Sequence, residues 1–234
     1  MLLVSLHAQD FDNLEINKAV KSPFSLGAHF SLDACYRQKI DNPNDTIDLK
    51  YVLEFENKEQ TFKQGYSVGI NLDYTISERL ALGMGLGFAT RGWQWKNQDY
   101  MPPFEGIVSS TNRYRDEFID IPISISHFFG KGKTKFILGA GAEINIFLQS
   151  IIVNRYEYED GHCKTTHEQT VIYYAEPNDL GLSLLLKTGW LRECNMKRIK
   201  VEPVFRYSLT PLFSDTPALV HLWSVGINLS CYFH

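Results

Sequence analysis

The chain has 234 residues, room for one large domain or two small ones, with 44% hydrophobic and 21% charged residues. A formal net charge of −4, from 23 Lys+Arg against 27 Asp+Glu, excludes the concentrated basic surface of a nucleic-acid binder. No apolar run approaches the roughly 18 residues of a membrane-spanning helix, and the apolar content excludes long disorder.

The opening MLLVSLHAQD reads as the end of a secretory signal peptide. Residues 2–6 form a short apolar core, and Leu6-His7-Ala8 a small-residue cleavage site before Gln9. From residue 24 onward the dominant signal has period two, the side-chain period of a strand. Segment 24–36 turns Leu26, Phe30 and Leu32 to one face. Segment 66–76 sets Tyr66, Val68, Ile70, Leu72, Tyr74 and Ile76 against Ser67, Gly69, Asn71, Asp73 and Thr75. Segment 80–88 sets Leu80, Leu82, Met84, Leu86 and Phe88 against Ala81, Gly83, Gly85 and Gly87. Segments 119–125 and 136–148 repeat the pattern with Ile119, Ile121, Ile123 and Ile125, then Phe136, Leu138, Ile144, Ile146 and Leu148. Three more follow near 180–190 (Leu182, Leu184, Leu186), 199–209 (Val201, Phe205, Tyr207) and 221–233 (Trp223, Val225, Ile227, Leu229, Phe233). These are about eight strands of about 10 residues, the length that crosses a bilayer at a tilt.

The connections alternate in length. Ser77-Glu78-Arg79, 130–135 and 192–197 are short; 37–62, 93–117, 150–178 and 210–220 are long and polar. An all-β, antiparallel up-and-down transmembrane β-barrel has this layout, with short periplasmic turns and long extracellular loops. The expected organisation is a signal remnant at 1–8, a periplasmic segment at 9–23 and the barrel at 24–234. A soluble barrel would carry Lys and Glu on its water face. Here the polar face is mostly Gly, Ser, Asn and Thr, which suits a narrow interior.

Aromatics gather at both ends of the outward face, as two interfacial belts would require. Phe24, Tyr74, Phe129, Phe136, Trp190 and Phe233 lie near the short turns, and Tyr36, Tyr66, Tyr207 and Trp223 near the long loops. The expected interior charge network is His29, Asp33, Asp73, Arg91, Asp120, Glu143, Lys187, Lys200, Glu202 and Arg206. Acids and bases nearly balance, so they can pair and plug the lumen. A turn centred between Cys194 and Asn195 would set Lys187 opposite Glu202.

The segments GYSVGINLDYTISERLALGMGLGFATRG, FIDIPISISHFFGKGKTKFILGAGAEINIFL and WSVGINLSCYFH resemble the PorT-like outer-membrane β-barrel family of Bacteroidota, an outer membrane protein beta-barrel domain. The resemblance covers nearly the whole chain from Phe24; its most specific part is the IDIP that places Pro122 inside a strand. It implies an integral barrel in the outer membrane of a Gram-negative bacterium, and a role in type IX secretion more weakly. The closing Phe233 resembles the terminal aromatic read by barrel-assembly machinery.

Several residues suggest chemistry. His29, Ser31 and Asp33 share one strand face and contain a base, a nucleophile and an acid, but they face the interior, where a hydrogen-bonded cluster is the expected role. Ser126 and His127 point to opposite faces. Gly83, Gly85 and Gly87 lie within a strand with no helix after them, so a nucleotide loop is rejected. His162, Cys163 and His167, with Glu159, Asp160 and Glu168 nearby, are candidate soft-metal ligands in a long loop. Cys35, Cys163, Cys194 and Cys231 fit no zinc spacing, and Cys163 and Cys194 fall at opposite ends of the barrel. Asp45-Thr46-Ile47 resembles a Bacteroidota O-glycosylation motif at Thr46.

The expected molecule is a monomeric, plugged, non-enzymatic outer-membrane barrel that needs no cofactor. Its partners are outer-membrane lipid and a protein of the cell envelope, not nucleic acid. It acts through its long surface loops or its periplasmic rim. The alternatives are an accessory subunit of a type IX secretion or envelope-assembly complex and, more remotely, a lipid-modifying enzyme.

Overall fold

The computed structural model describes residues 23–43, 53–54, 57–58, 60–95, 106–169, 177–194, 197–213 and 216–233. The expected signal remnant, the segment after it except Pro23, and Thr46 lie outside these residues. The strands are β1 (Phe24–Asp41), β2 (Gln60–Thr61), β3 (Lys63–Ser77), β4 (Leu80–Trp95), β5 (Ile107–Phe129), β6 (Thr134–Tyr158), β7 (Cys163–Gln169), β8 (Leu180–Cys194), β9 (Lys197–Ser208) and β10 (Ala218–Phe233). Omitting β2 and β7, the other eight form a closed antiparallel ring. The ring closes where β1 pairs β10, from Leu26↔Phe233 to Asp41↔Ala218.

Closure and side-chain alternation have one cause. A strand with an apolar face and a polar face must send one to each side of a closed wall. Ile70 and Ile227 are 56% and 61% exposed on the outer face, whereas Ser31 and Glu202 are 0% and 2% exposed on the inner one. Each of the eight segments with period-two spacing is a ring strand. The start of β1, the end of β10 and the short turns share one end of the ring: Phe24 pairs Tyr74 and Leu26 pairs Phe233.

The strands run further than the alternation indicated. β5 begins at Ile107 and β6 ends at Tyr158, and β7 joins β6 with Val153 opposite His167. Much of 93–117 and 150–178 is therefore ladder rather than loop. Above the apolar band both faces of these strands carry polar residues, such as Arg113, Asn154 and Arg155, so no hydrophobic period marks them. An irregularity between Glu117 and Phe118 also resets the pattern. Glu117 opposes Gln149 while Phe118 opposes Phe147, so Leu148 is left over.

Two strand prolines interrupt the wall. Pairing of β4 with β5 skips from Met84↔Ile123 to Gly87↔Asp120, around Pro122. Pairing of β8 with β9 skips from Lys187↔Val204 to Trp190↔Val201, around Pro203. Proline offers no ladder donor, so the partner strand must yield locally. Gly189 does so with φ 151°; a Cβ there would lie 2.0 Å from the Val201 carbonyl oxygen. Thr188 Oγ1 beside the gap donates to the Ile137 carbonyl at 3.1 Å.

The outer face predicts a contrast between two neighbouring positions on β3. Ile70→Arg should destabilise the membrane-folded barrel by ~2–4 kcal/mol. Ser67→Ala, on the inner face, should change it by under ~1 kcal/mol. Urea unfolding of protein refolded into vesicles measures both; equal effects would reverse the assignment of faces.

Candidate functional site: the filled lumen

All ten charged residues expected inside line the lumen; eight are buried, and His29 and Lys187 are half-buried. Five acids and bases join into one chain across the barrel. Arg91 on β4 meets Asp120 at 2.5 Å and Glu143 at 2.6 Å. Arg206 on β9 reaches Glu143 at 3.4 Å and Asp33 on β1 at 3.0 Å. Asn145 donates to Asp120 at 2.8 Å and to Glu143 at 3.1 Å, and its own oxygen accepts from Ser183 at 2.6 Å. Ser31 donates to Asp33 at 2.9 Å. This chain ties β4, β5, β6, β9 and β1 together. Nearer the short turns, Lys200, 1% exposed, is paired with Asp73 and lies 4.5 Å from the Tyr232 ring centre.

Lys187 does not oppose Glu202, contrary to the expected register. The closing pair of the β8–β9 hairpin is Cys194↔Lys197, and Lys187 opposes Val204. The pairing is displaced by two residues, which preserves inward and outward faces and so leaves no trace in the alternation. Lys187 instead donates to Ser124 at 2.9 Å across β6. Its stem lies over Gly139, where a Cβ would come 2.8 Å from Lys187 Cε. Large residues from one wall thus occupy the space left by glycines on the other.

Between these clusters lies a cavity of about 60 Å³ bordered by His29, Ser67, Lys187, Glu202 and Asn228. His29 Nδ1, Ser67 Oγ, Glu202 Oε1 and Asn228 Oδ1 are buried there with no protein hydrogen-bond partner. A polar cavity of this size has room for a few waters, which would satisfy these atoms and bridge Lys187 to Glu202.

Apolar clusters close both ends. At the short-turn end Ala81, Phe128, Ile137 and Leu191 pack together. At the long-loop end Trp93, Phe118, Leu212, Phe213, Val220 and Leu222 form a lid, and Arg91 lies 5.4 Å from the Phe118 ring centre beneath it. Leu212 and Phe213 come from the β9–β10 connection, which folds into the mouth. Its backbone is held by Leu212 N–H to the Val220 carbonyl at 2.6 Å and Asn178 N–H to the Leu212 carbonyl at 2.8 Å. Sequence reasoning missed this lid, because an apolar pair in a polar connection has no periodicity. It also missed Arg37, Lys63 and Asp116, which are buried in the upper lumen; Arg37 stacks 4.3 Å from the Trp93 ring centre. Their inward parity was visible once the strands were known to extend.

The other candidates are dispersed. Ser31 is engaged by Asp33 and not by His29, and Ser126 is buried while His127 lies outward beside Phe129. His162 stacks on Tyr158 and pairs with Asp160 at 2.5 Å. The His162 backbone N–H and ring together hold the Asp160 carboxyl below its ordinary range. Cys163 opposes Glu157 and His167 opposes Val153, four residues apart along β7, and no metal-holding cluster occurs among the described residues. Cys163 lies at the long-loop end and Cys194 at the short-turn end, and all four cysteines are free.

The aromatics sit in two tiers. Phe24 lies 5.0 Å from Tyr74, and Phe136 lies 6.1 Å from both Phe129 and Trp190, at the short-turn end, where Phe233 is 54% exposed. At the other end Tyr36 stacks on Trp223 at 4.3 Å, Tyr66 approaches Phe88 at 6.3 Å and Tyr207 opposes Trp223.

A closed, even-stranded antiparallel ring with apolar residues outside and ion pairs inside is a transmembrane β-barrel. The chain belongs to the outer membrane protein beta-barrel domain family, whose model matches residues 7–214. It is integral to the outer membrane. None of the curated proteins compared with it matches. Solved structures similar to it include neisserial surface protein A, at 12% identity over 89% of this chain and 96% of that one, with a TM-score of 0.40. The attachment invasion locus protein of Yersinia pestis is similar at 10% identity over 88% and 97%, TM-score 0.31. The outer membrane protease OmpT of Escherichia coli is similar at 9% identity over 89% and 96%, TM-score 0.43.

The observed pairing predicts where coupling will be found. Lys200→Met and Asp73→Asn should each cost ~3–5 kcal/mol, since each strands a buried partner, and the double variant should recover ~2–3 kcal/mol of the sum. Lys187→Met with Glu202→Gln, separated by the cavity, should couple by under ~1 kcal/mol. A double-mutant cycle on urea unfolding distinguishes the pairs; strong coupling only in the second would restore the other register.

Proposed function

We propose that the protein is a monomeric, closed, non-enzymatic barrel of the PorT-like group of Bacteroidota that acts at the cell surface through its long-loop end. The observation that carries this reading is the filled lumen. Ion pairs bridge the barrel's cross-section, and apolar clusters pack at both ends. Meanwhile the ladder of β5, β6 and β7 continues beyond the apolar band and offers a built surface on the long-loop side. The non-enzymatic assignment is supported by the engagement of Ser31 with Asp33 rather than with His29.

A second reading, an accessory subunit of a type IX secretion or envelope-assembly complex, is favoured by one feature. The short-turn mouth holds a recess of about 630 Å³ bordered by Arg79, Lys131, Lys135, Glu193 and Arg198. A protein partner with an acidic segment would fit there.

Labelling and crosslinking on intact cells separate the two. A membrane-impermeant maleimide should label Cys163 and leave Cys194 unlabelled until the outer membrane is permeabilised. Labelling of Cys194 alone would invert the barrel. A photo-crosslinker at Thr111 should then capture surface components, whereas capture solely from Lys131 would favour the accessory-subunit reading.

A further inference from the structure

The outer face of the β5–β6–β7 ladder changes character where the apolar band ends. On β5 the outward residues Ile119 to Phe129 span about ten residues, about 33 Å of strand and about 25 Å of height at a tilt near 40°. That is the full height of a barrel's lipid-facing band. The next outward residues on β5 are Glu117, Arg115 and Arg113. On β4, Phe88 ends the band, and Gly92 and Gln94 lie beside Arg115 and Arg113.

Cross-strand pairing places the neighbours on the same face. Arg115 opposes Ile151, Arg113 opposes Val153, and Thr111 opposes Arg155; on β7, Thr165 opposes Arg155 and His167 opposes Val153. Arg155 is therefore diagonal to Arg113, within about 7–8 Å, and Arg113 and Arg115 are about 7 Å apart along their strand. Three guanidiniums surround the aliphatic pair Ile151 and Val153. The acids on this face are already engaged. Glu117 pairs with Arg115 at 3.0 Å and accepts from Gln149 at 2.7 Å, and Glu157 accepts from Ser109 at 3.0 Å. Arg155 reaches Cys163 Sγ at 3.6 Å. Arg113 is exposed and makes no ion pair with any described residue.

We propose that this stripe, Arg113, Arg115 and Arg155 around Ile151 and Val153, is a docking site for a phosphorylated glycolipid of the outer leaflet. The inference rests on the long loops facing the cell surface. Position selects the partner: the stripe begins where the hydrocarbon band stops, which is the level of lipid phosphates. Chemistry agrees, because arginine forks bind phosphate oxygens in pairs. A lipid bridging β5 and β6 would also brace the ladder that projects above the membrane.

The test uses the full barrel refolded into phosphatidylcholine nanodiscs containing bisphosphorylated lipid A, with native mass spectrometry counting retained glycolipid. The wild type should retain it. The Arg113→Ala/Arg155→Ala variant should retain at least tenfold less, with Arg113→Lys/Arg155→Lys between the two. These residues lie outside the barrel core, and heat-modifiable gel migration checks that each variant is folded. Dephosphorylated lipid A should not be retained, and millimolar inorganic phosphate should not displace the phosphorylated form. Equal retention by wild type and the alanine variant, equal retention of the dephosphorylated lipid, or displacement by free phosphate would each overturn the proposal. Failure here with Cys163 still labelled on intact cells would leave the surface reading standing.

Discussion

Pairing of every backbone N–H and C=O in hydrocarbon is the constraint from which the rest follows. Lipid offers no substitute hydrogen bonds, so a sheet in the membrane must have no free edge. The long β1–β10 ladder meets that requirement and joins the first described strand to the last. Closure at eight strands fixes a narrow bore that side chains alone can fill. Period-two alternation then does two tasks at once, sending Leu, Ile, Val and Phe to lipid and leaving the small and charged residues inside. Even the exceptions obey the constraint: where Pro122 and Pro203 remove ladder donors, the loss is confined to one short gap apiece.

A narrow bore containing six buried acids needs counter-charges close at hand, since an unpaired buried charge costs several kcal/mol. The Asp33–Arg206–Glu143–Arg91–Asp120 chain provides this from five strands, so no single hairpin carries the plug. Buried ion pairs are weak sources of net stability, but they penalise wrong arrangements heavily. Here they reinforce the register of β9 and β4 across the lumen. The Leu212–Phe213 lid removes water from above the chain and strengthens it further.

Strand number, the inward set and the two aromatic tiers could be read from the sequence, because each depends only on which face a residue takes. Whatever depends on more than face was hidden. A two-residue displacement of the β8–β9 hairpin leaves every face unchanged, so the Lys187 and Glu202 pairing could not be distinguished from the true one. The upper parts of β5 and β6 mix polar and apolar residues on both sides and give no period at all. The lid is tertiary: Leu212 and Phe213 are meaningful only when Trp93 and Phe118 arrive from other strands. Arg113, Arg115 and Arg155 likewise form a stripe only once the bulge beside Glu117 and the β5–β6 register are fixed.

The central claim is that the lumen is closed by its own side chains. Conductance of the purified barrel in a planar lipid bilayer tests it most directly. Filling by the ion-pair chain and the two apolar clusters predicts no steady current at moderate voltage in molar salt. A stable ohmic conductance from the unmodified protein, with the stepwise insertions of an open pore, would contradict it.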